Sequence, residues 1–294
     1  MARTIGFISE KGGVGKTTAC YHIAIGLHRY HAQRVLVVDT DYQRGGITCR
    51  FLPALLDDFR SGQMDGITLF DKFQQLYSAS PFDPRVDIRA TPNGPVLLPA
   101  DPRLAQVTVE KMPTSNNIRE NNRQLLRHLA LIRDVLAPLA DEYDYILIDS
   151  HPEISELLRT VVYACDYCVS PVKLDLQSTI GVPSAQQAIN EVNADVEMIS
   201  RALGPVTEFS PTVFIGAIGM MAREWGGILK ATERAEYRRL QHAGGIFEHY
   251  VTEGDGLRMA AAQRCAVYDI GGTNAERQAQ QFYDITQEFL AKCP

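Results

Sequence analysis

Residues 10–18 read Glu-Lys-Gly-Gly-Val-Gly-Lys-Thr-Thr, a pattern whose residue types can bind phosphate. Three closely spaced glycines let the backbone curl so that its N–H groups point inward at phosphate oxygens. Lys16 is placed to reach the β- and γ-phosphates of a nucleotide, and Thr17 offers a hydroxyl to Mg²⁺. The spacing therefore predicts a phosphate-binding loop for a nucleotide and its metal ion.

Such a loop works only between a strand and a helix, and the flanking sequence supplies both. Residues 4–9 are short and apolar enough to form a buried strand, and residues 19–27 have a helical pattern without a breaker. The positive end of the helix dipole then adds to the phosphate site. The alternative, a chance glycine-rich turn, is disfavoured because strand, loop and helix agree.

Two further apolar strands end on carboxylates. Residues 34–39 end on Asp39 and are followed by Asp41, and residues 145–149 end on Asp149 in the form of a Walker B strand. Ligands of parallel α/β sheets bind beyond the carboxyl ends of the strands. We therefore expect these aspartates near the phosphates, with Asp149 holding Mg²⁺ through a water molecule.

The loop departs from the usual phosphate-loop pattern in one informative way. Glu10 stands where a glycine is usual, and a second lysine, Lys11, follows it. This form resembles the deviant Walker A loop of the ParA/MinD family of ATPases, whose signature lysine matches Lys11. Residues 39–45 resemble the family's switch I motif, Asp-x-Asp-Pro-Gln-x-Asn, with Tyr42 in place of the proline and Gly45 in place of the asparagine.

Three other segments extend the resemblance. Residues 96–105 resemble the family's strand that ends in Leu-Pro-Ala. Family members usually continue Thr-Pro-Pro after the Walker B aspartate, where this chain has Ser150 and His151 before Pro152. We interpret His151 as a loop residue and not as a catalyst. Residues 251–270 loosely resemble the C-terminal motif, with Thr252 in place of the proline near the base and Glu253 where relatives often have an arginine.

Length and composition favour one globular domain. The chain has 294 residues, 45% of them hydrophobic and 22% charged. Strands alternate with helices, which predicts an α/β fold with a doubly wound, mainly parallel sheet and helices on both faces. We expect a single P-loop ATPase domain over residues 1–294, with an elaborated segment at about 53–122; a separate small domain there is the alternative.

Several features bear on the compartment. No apolar run approaches the ~20 residues that a membrane-spanning helix needs, and no signal peptide is evident, so we expect a cytoplasmic protein. No helix-turn-helix precedes the phosphate loop, and this arrangement is similar to the short class of partition proteins.

The chain has six cysteines. We interpret the pair Cys165 and Cys168 as buried structural thiols and not as cluster ligands.

The resemblance implies a ParA-like ATPase that binds Mg·ATP, forms a homodimer across two phosphate loops and binds DNA without sequence preference. A ParB-like or other adaptor would stimulate hydrolysis, and the cycle would position a plasmid, a chromosome or other cargo. The implied catalytic residues are Lys11, which would act from the opposite subunit, Lys16, and Asp41, which would orient the attacking water. The nucleotide would be held by Lys11, Gly12, Gly13, Val14, Gly15, Lys16, Thr17, Thr18 and Asp41, and the metal by Thr17 and Asp149.

Two alternatives remain open. One is a membrane-cycling ATPase similar to MinD, which the weakly basic last helix at residues 274–292 disfavours. The other is a metabolic or cluster-carrying enzyme on the same fold.

DNA binding requires a local basic surface because the formal net charge is −6. The candidates are Arg223, Lys230, Arg234, Arg238, Arg239, Arg258 and Arg264. The alternative interpretation of the run at 223–239 is a solvated helix face, because Glu224, Glu233 and Glu236 are interspersed with the basic residues.

Overall fold

The computed structural model describes residues 1–43, 45–204 and 209–294. Its strands are β1 (Arg3–Phe7), β2 (Val35–Asp39), β3 (Arg89–Ala90), β4 (Val96–Leu98), β5 (Tyr145–Asp149), β6 (Tyr167–Lys173), β7 (Val213–Ala222), β8 (Glu224–Trp225), β9 (Ile228–Leu229) and β10 (Ile246–Thr252). Eight of them form one sheet in the order β10-β7-β6-β1-β5-β2-β4-β3, in which only the pairing of β3 with β4 is antiparallel. The mainly parallel sheet predicted from the sequence is confirmed.

Helices cover both faces of this sheet. They are α1 (Lys16–His31), α2 (Gly46–Phe51), α3 (Leu56–Ser61), α4 (Leu69–Tyr77), α5 (Ile118–Leu136), α6 (Glu156–Ala164), α7 (Leu176–Thr179), α8 (Gly181–Leu203), α9 (Ala231–His242), α10 (Asp255–Gln263) and α11 (Thr273–Lys292). Short 3₁₀ turns lie at Pro53–Leu55, Pro102–Gln106, Val109–Lys111, Ala137–Leu139 and Val267–Asp269.

The central strands are buried on both sides, which explains why they read as continuous apolar runs. Side chains alternate along each strand, so Ile146 and Ile148 of β5 join one core and Leu147 joins the other. The first core packs against α4, α5, α6 and α8. The second packs against α1, α10 and α11. The predicted doubly wound arrangement therefore follows from the period-2 burial of the strands.

The elaborated segment contributes to the first core. Leu69, Phe70 and Phe73 of α4 belong to the same buried cluster as the inner residues of α5. In this segment, Arg89 and Ala90 form β3 and pair with β4. The helix α5 begins at Ile118, since the Asn117 side chain caps it by accepting a hydrogen bond from the Arg119 N–H.

A small hairpin interrupts the basic run at 223–239, so these basic residues do not all lie on one helix. β7 extends to Ala222, and β8 and β9 then pair around Gly226 and Gly227. Both glycines have positive φ, 58° and 80°, as a tight two-residue hairpin turn requires. The basic helix α9 is confined to Ala231–His242. Within the described ranges, no helix has both the length and the apolar character needed to cross a membrane.

Candidate active site

The glycine-rich segment forms a tight loop between β1 and α1. β1 ends at Phe7, and α1 begins at Lys16 directly after Gly15. Gly13 and Gly15 have φ values of 75° and 98°, in the left-handed region that glycine adopts without steric cost. Gly15 also has no side chain that could cap α1, so the first N–H groups of the helix are left for a bound anion.

The register of the sheet brings the Walker B carboxylate to this loop. β5 pairs with β1 and β2 so that Asp149 lies beside Phe7 on one side and Asp39 on the other. The Thr17 Oγ1 donates a hydrogen bond to Asp149 Oδ2 at 2.8 Å, and Lys16 Nζ lies 3.8 Å from Asp149 Oδ1. Burial raises the pKa of Asp149, and the Lys16 ammonium and the Thr17 hydroxyl oppose that rise. The buried Lys16 and Asp149 thus form one cluster with the half-buried Thr17.

Asp39 is occupied with holding the backbone. Its Oδ2 accepts hydrogen bonds from the Thr48 N–H at 2.9 Å and the Thr48 hydroxyl at 2.7 Å, and its Oδ1 accepts one from the Asp41 N–H at 2.9 Å. Thr48 Oγ1 in turn accepts a hydrogen bond from the Ala100 N–H at 2.9 Å. Burial and the neighbouring Asp149 raise the pKa of Asp39, against the hydrogen bonds that stabilise its charge. Asp39 therefore ties the end of β2 to α2 and to the segment after β4.

A cavity of 630 Å³ opens beside the loop. It is lined by Lys11, Gly12, Gly13, Gly15, Lys16, Thr17, Thr18, Asp41, Gln43, Gly46, Pro152 and Met221. These include every residue predicted to bind the nucleotide except Val14, which is buried. The volume and the lysine, threonine and N–H groups at its wall suit a polyphosphate.

Lys11 and Asp41 lie at the edge of this cavity, and their side chains differ in exposure and in hydrogen bonding. Asp41 is 7% exposed, and its Oδ1 accepts a hydrogen bond from the Gln43 N–H at 3.0 Å. Lys11 is exposed, and its Nζ donates a hydrogen bond to the backbone carbonyl of Gln177 in α7. Arg44, within the segment that resembles switch I, lies outside the described residues.

A second cavity of 380 Å³ adjoins the first through Gly15, Thr18 and Met221. Its other lining residues are Met220, Thr252, Glu253, Gly254, Leu257, Arg258, Ala261 and Gln278. Much of this wall is apolar, which suits the faces of a planar base.

Thr252 closes part of that wall in place of the family's proline. Unlike proline it has an N–H group, which donates a hydrogen bond to Gln281 Oε1 at 3.0 Å. The Gln278 amide donates to the Thr252 carbonyl at 2.7 Å and accepts from the Leu257 N–H at 2.9 Å. Two glutamines of α11 thus hold the segment that borders the second cavity.

The seven candidate DNA-binding residues fall into separate groups. Arg223 pairs with the buried Glu233, and Arg239 pairs with Glu236. Arg258 pairs with Asp255 in α10, and Arg264 caps the end of that helix. The remaining three, Lys230, Arg234 and Arg238, are exposed at α9 and make no ion pair within the described ranges.

His151 and the paired cysteines are both buried. His151 is 2% exposed and stacks on Tyr42, with ring centroids 4.1 Å apart. The sulfur atoms of Cys165 and Cys168 pack against the position where Gly6 lacks a Cβ. Burial raises the pKa of the Cys165 thiol well above its ordinary value, which disfavours the thiolate.

Comparison with known proteins agrees with this geometry. A family model described as an AAA domain matches residues 2–200. The chromosome-partitioning ATPase Soj of Thermus thermophilus is 30% identical over 202 residues, which cover 69% of this chain and 67% of that protein. The chain belongs to the ParA family of P-loop ATPases.

Two further similarities mark the extent of the match. The solved structure of a Cyanothece McdA variant in complex with ATP superposes on this chain with a TM-score of 0.72 at 16% identity. The superposition covers 98% of this chain and 96% of the McdA chain, which shows that the two share a fold. An uncharacterized protein of Pseudomonas putida is 28% identical over 201 residues, which cover 66% of this chain. The match spans 65% of that relative's length.

Sequence reasoning missed several residues around this ParA-type site. Thr48, which binds Asp39, and Gln278, which borders the second cavity, carry no local motif, because their roles depend on contacts between distant segments. Met221 has a φ of 52°, an uncommon conformation for a residue with a side chain, and it lines both cavities. Of these three residues, only Met221 could have been placed near the site from the sequence, because it lies at the carboxyl end of a parallel strand.

Proposed function

We propose that this chain is a ParA-like ATPase that binds Mg·ATP, dimerises around it and couples slow hydrolysis to the positioning of a cargo. The observation that carries the proposal is the cluster of Lys16, Thr17 and Asp149 at the wall of a cavity that Lys11 and Asp41 also line. Membership of the ParA family supports it. We infer one ATPase domain over residues 1–294, supported by the shared core of α4 and α5.

Lys16 and the loop amides are assigned to the phosphates. The Lys16 ammonium is 6% exposed and carries its charge at the floor of the site, where it would stabilise charge on the transferred phosphoryl group. In the structure it lies near Asp149, so bound phosphate would compete with that carboxylate for the ammonium. The base is assigned to the second cavity, between Met220 and Leu257.

The donor set near Thr17 fits Mg²⁺. Asp149 Oδ1 is buried without a hydrogen-bond partner in the part of the chain that the structure describes, and the Thr17 hydroxyl binds the other oxygen of the same carboxylate. Hard oxygen ligands of this kind, few in number, are typical of a Mg²⁺ that keeps several waters and binds substrate phosphates. Bound there, the ion would neutralise phosphate charge.

Asp41 is assigned to the attacking water. Its backbone N–H is held by Asp39 and its Oδ1 by the Gln43 N–H, so the carboxylate has a fixed direction at the edge of the cavity. A carboxylate fixed in this way can accept a hydrogen bond from the attacking water and so orient that water. A direct test is Mg²⁺-dependent release of phosphate from ATP by the purified chain, and no release above a protein-free control would exclude the proposed hydrolysis.

Lys11 gives the first prediction. Lys11→Ala should bind ATP as a monomer but lose ATP-dependent dimerisation, because an exposed lysine at the cavity's edge can neutralise phosphate charge only when two subunits meet. The assignment of Lys11 is to the phosphates of the opposite subunit, which it reaches after releasing the Gln177 carbonyl. Light scattering with ATP measures the result, with Lys230→Ala as the charge-matched control. A Lys11→Ala chain that still dimerises would reduce Lys11 to a loop residue.

DNA binding is proposed for the dimer, with α9 as its centre. Lys230, Arg234 and Arg238 are exposed and make no ion pair with any residue the structure describes, so they are available to phosphates. Arg223, Arg239 and Arg258 rank second, since each shares its charge with a carboxylate. Arg264 remains a candidate at the end of α10, away from α9. Dimerisation doubles the number of phosphate contacts, on which both affinity and salt dependence depend.

Replacing Arg234 and Arg238 together by alanine should weaken binding to unrelated duplexes about 10-fold at moderate salt and flatten the salt dependence. ATP affinity should not change. Anisotropy titrations with ATP measure this, and the matched control is the removal of two charges from α5 by Arg123→Ala with Arg127→Ala. If wild-type chain in ATP binds no duplex even at low salt, the DNA surface is excluded.

The proposal also includes a partner protein and a place of action in the cell. A ParB-like or other adaptor would stimulate hydrolysis, and the protein would work in the cytoplasm, on the nucleoid where DNA binding holds. A membrane-cycling role similar to MinD gains no support from the last helix, because Phe282, Ile285 and Phe289 of α11 are buried in the core.

A further inference from the structure

Two departures from the ParA pattern contact each other. Tyr42 and His151 each stand where the family pattern has a proline, in segments more than a hundred residues apart. In the structure their rings stack, with centroids 4.1 Å apart and an interplanar angle of 14°. Tyr42 directly follows Asp41, and His151 lies two residues after Asp149. The stack therefore joins the segment of the water-orienting carboxylate to the segment of the metal-binding carboxylate.

The surroundings of the stack restrain it further. His151 is 2% exposed, and Tyr42 is half-buried against the core on the α5 face of the sheet. Pro152, the next residue, lies against the phosphate loop: a Cβ on Gly12 would be 4.0 Å from Pro152 Cγ. Residues 151 and 152 thus contact the Asp41 segment on one side and the loop on the other.

The contact is made by the face of the imidazole. Among the residues that the structure describes, neither ring nitrogen of His151 has a hydrogen-bond partner, although buried polar atoms usually find one. An aromatic face is what a stack on tyrosine uses.

The stack also replaces what the prolines would supply. A proline ring fixes φ and stiffens the segment that contains it. Tyrosine and histidine leave φ free, so in this chain the two segments need another restraint. A buried ring pair that joins them provides it, and it places that restraint next to Asp41.

We propose that Tyr42 and His151 are a pair of positioning residues that hold Asp41 in place for ATP hydrolysis. This inference rests on the proposed function. The pair positions Asp41, which the proposed function assigns to the attacking water, so it governs the rate of cleavage and leaves the affinity for ATP unchanged.

The experiment compares single and double variants in Mg²⁺-dependent hydrolysis and in calorimetric ATP binding. His151→Ala and Tyr42→Ala should each lower kcat about 10-fold, since a small displacement of a catalytic group has a large effect on rate. The ATP Kd should stay within about 3-fold of wild type, and the double variant should be no slower than either single one, because both changes remove the same contact. His151→Phe, which keeps an aromatic face and lacks the nitrogens, should restore kcat to within about 3-fold of wild type.

A matched control exists at the far end of α1. His31 stacks on Tyr283 of α11 with centroids 5.9 Å apart and an interplanar angle of 19°, so His31→Ala removes a looser histidine–tyrosine stack away from the site and should leave kcat unchanged. His151→Phe as slow as His151→Ala would mean that the nitrogens act and would overturn the stacking role. Multiplicative losses in the Tyr42→Ala, His151→Ala double variant would overturn the pairing.

The inference and the proposed function fail in different ways. A wild-type chain that binds ATP without cleaving it would contradict both the proposed ATPase function and the positioning role of Tyr42 and His151. Wild-type hydrolysis with unchanged kcat in His151→Ala and Tyr42→Ala would remove the inference alone. Should an alanine variant unfold, the kcat and Kd of His151→Phe and Tyr42→Phe decide, since the stack requires both to stay near wild type.

Discussion

Alanine in place of Lys16 is expected to weaken ATP binding about 100-fold or more, since truncating one partner of a buried charge pair costs several kcal/mol. Lys16 is 6% exposed at the floor of the phosphate cavity. Its ammonium is the buried positive charge beside Asp149, and without it the triphosphate would meet that carboxylate uncompensated. Isothermal titration calorimetry with Mg·ATP measures the loss.

Two controls make the Lys16 result interpretable. Lys292→Ala removes a lysine at the end of α11 and should leave ATP affinity at the wild-type value. Thermal unfolding of Lys16→Ala without nucleotide reports whether the fold survives the loss of the Lys16–Asp149 contact. A folded Lys16→Ala chain with wild-type ATP affinity would exclude the phosphate-loop assignment.

Asp41→Ala should bind ATP and fail to cleave it, with kcat lower by about 10² to 10⁴-fold, the usual contribution of a positioned acid–base group. The side chain lies at the edge of the cavity, and the backbone contacts that fix its direction belong to Asp39 and Gln43. Removing it takes away the carboxylate that we assign to the attacking water and leaves Lys16 and Thr17 in place. ATP affinity by calorimetry and phosphate release separate the two effects.

The matched control for Asp41 is Asp57→Ala, which removes an exposed carboxylate from α3 and should hydrolyse ATP at the wild-type rate. Hydrolysis by Asp41→Ala at the parent rate would show that another group orients the water.

The phosphate loop and its strands were predictable because their signals are local. Glycines at fixed spacing, a lysine at the helix start and an apolar strand ending on Asp149 each occupy a few consecutive residues. The parallel sheet follows from the alternation of such strands with helices. In the folded chain, β5 pairs with β1 and β2 in a register that places Asp149 beside Thr17, as these local patterns require.

The division of labour between Asp39 and Asp41 could not be predicted. Asp39 ends β2 and Asp41 follows two residues later. Only the hydrogen bonds that Asp39 accepts from Thr48, whose hydroxyl in turn accepts one from the Ala100 N–H, show that Asp39 holds the backbone. The basic residues pose the same difficulty, because the sequence does not show that Arg223 turns to Glu233 while Arg234 stays exposed. The β8–β9 hairpin, by contrast, had a local signal in Gly226 and Gly227 that the helical interpretation passed over.

ATP-dependent dimerisation of the Asp41→Ala chain is the most direct test of the proposed cycle. A chain that holds ATP without cleaving it should accumulate as a dimer of twice the 32.7 kDa chain mass in light scattering with Mg·ATP. With ADP, or without nucleotide, it should remain a monomer. Equal mass in ATP and ADP, from protein that calorimetry shows to bind both, would contradict a nucleotide-controlled dimer and with it the ParA-like function proposed for this chain.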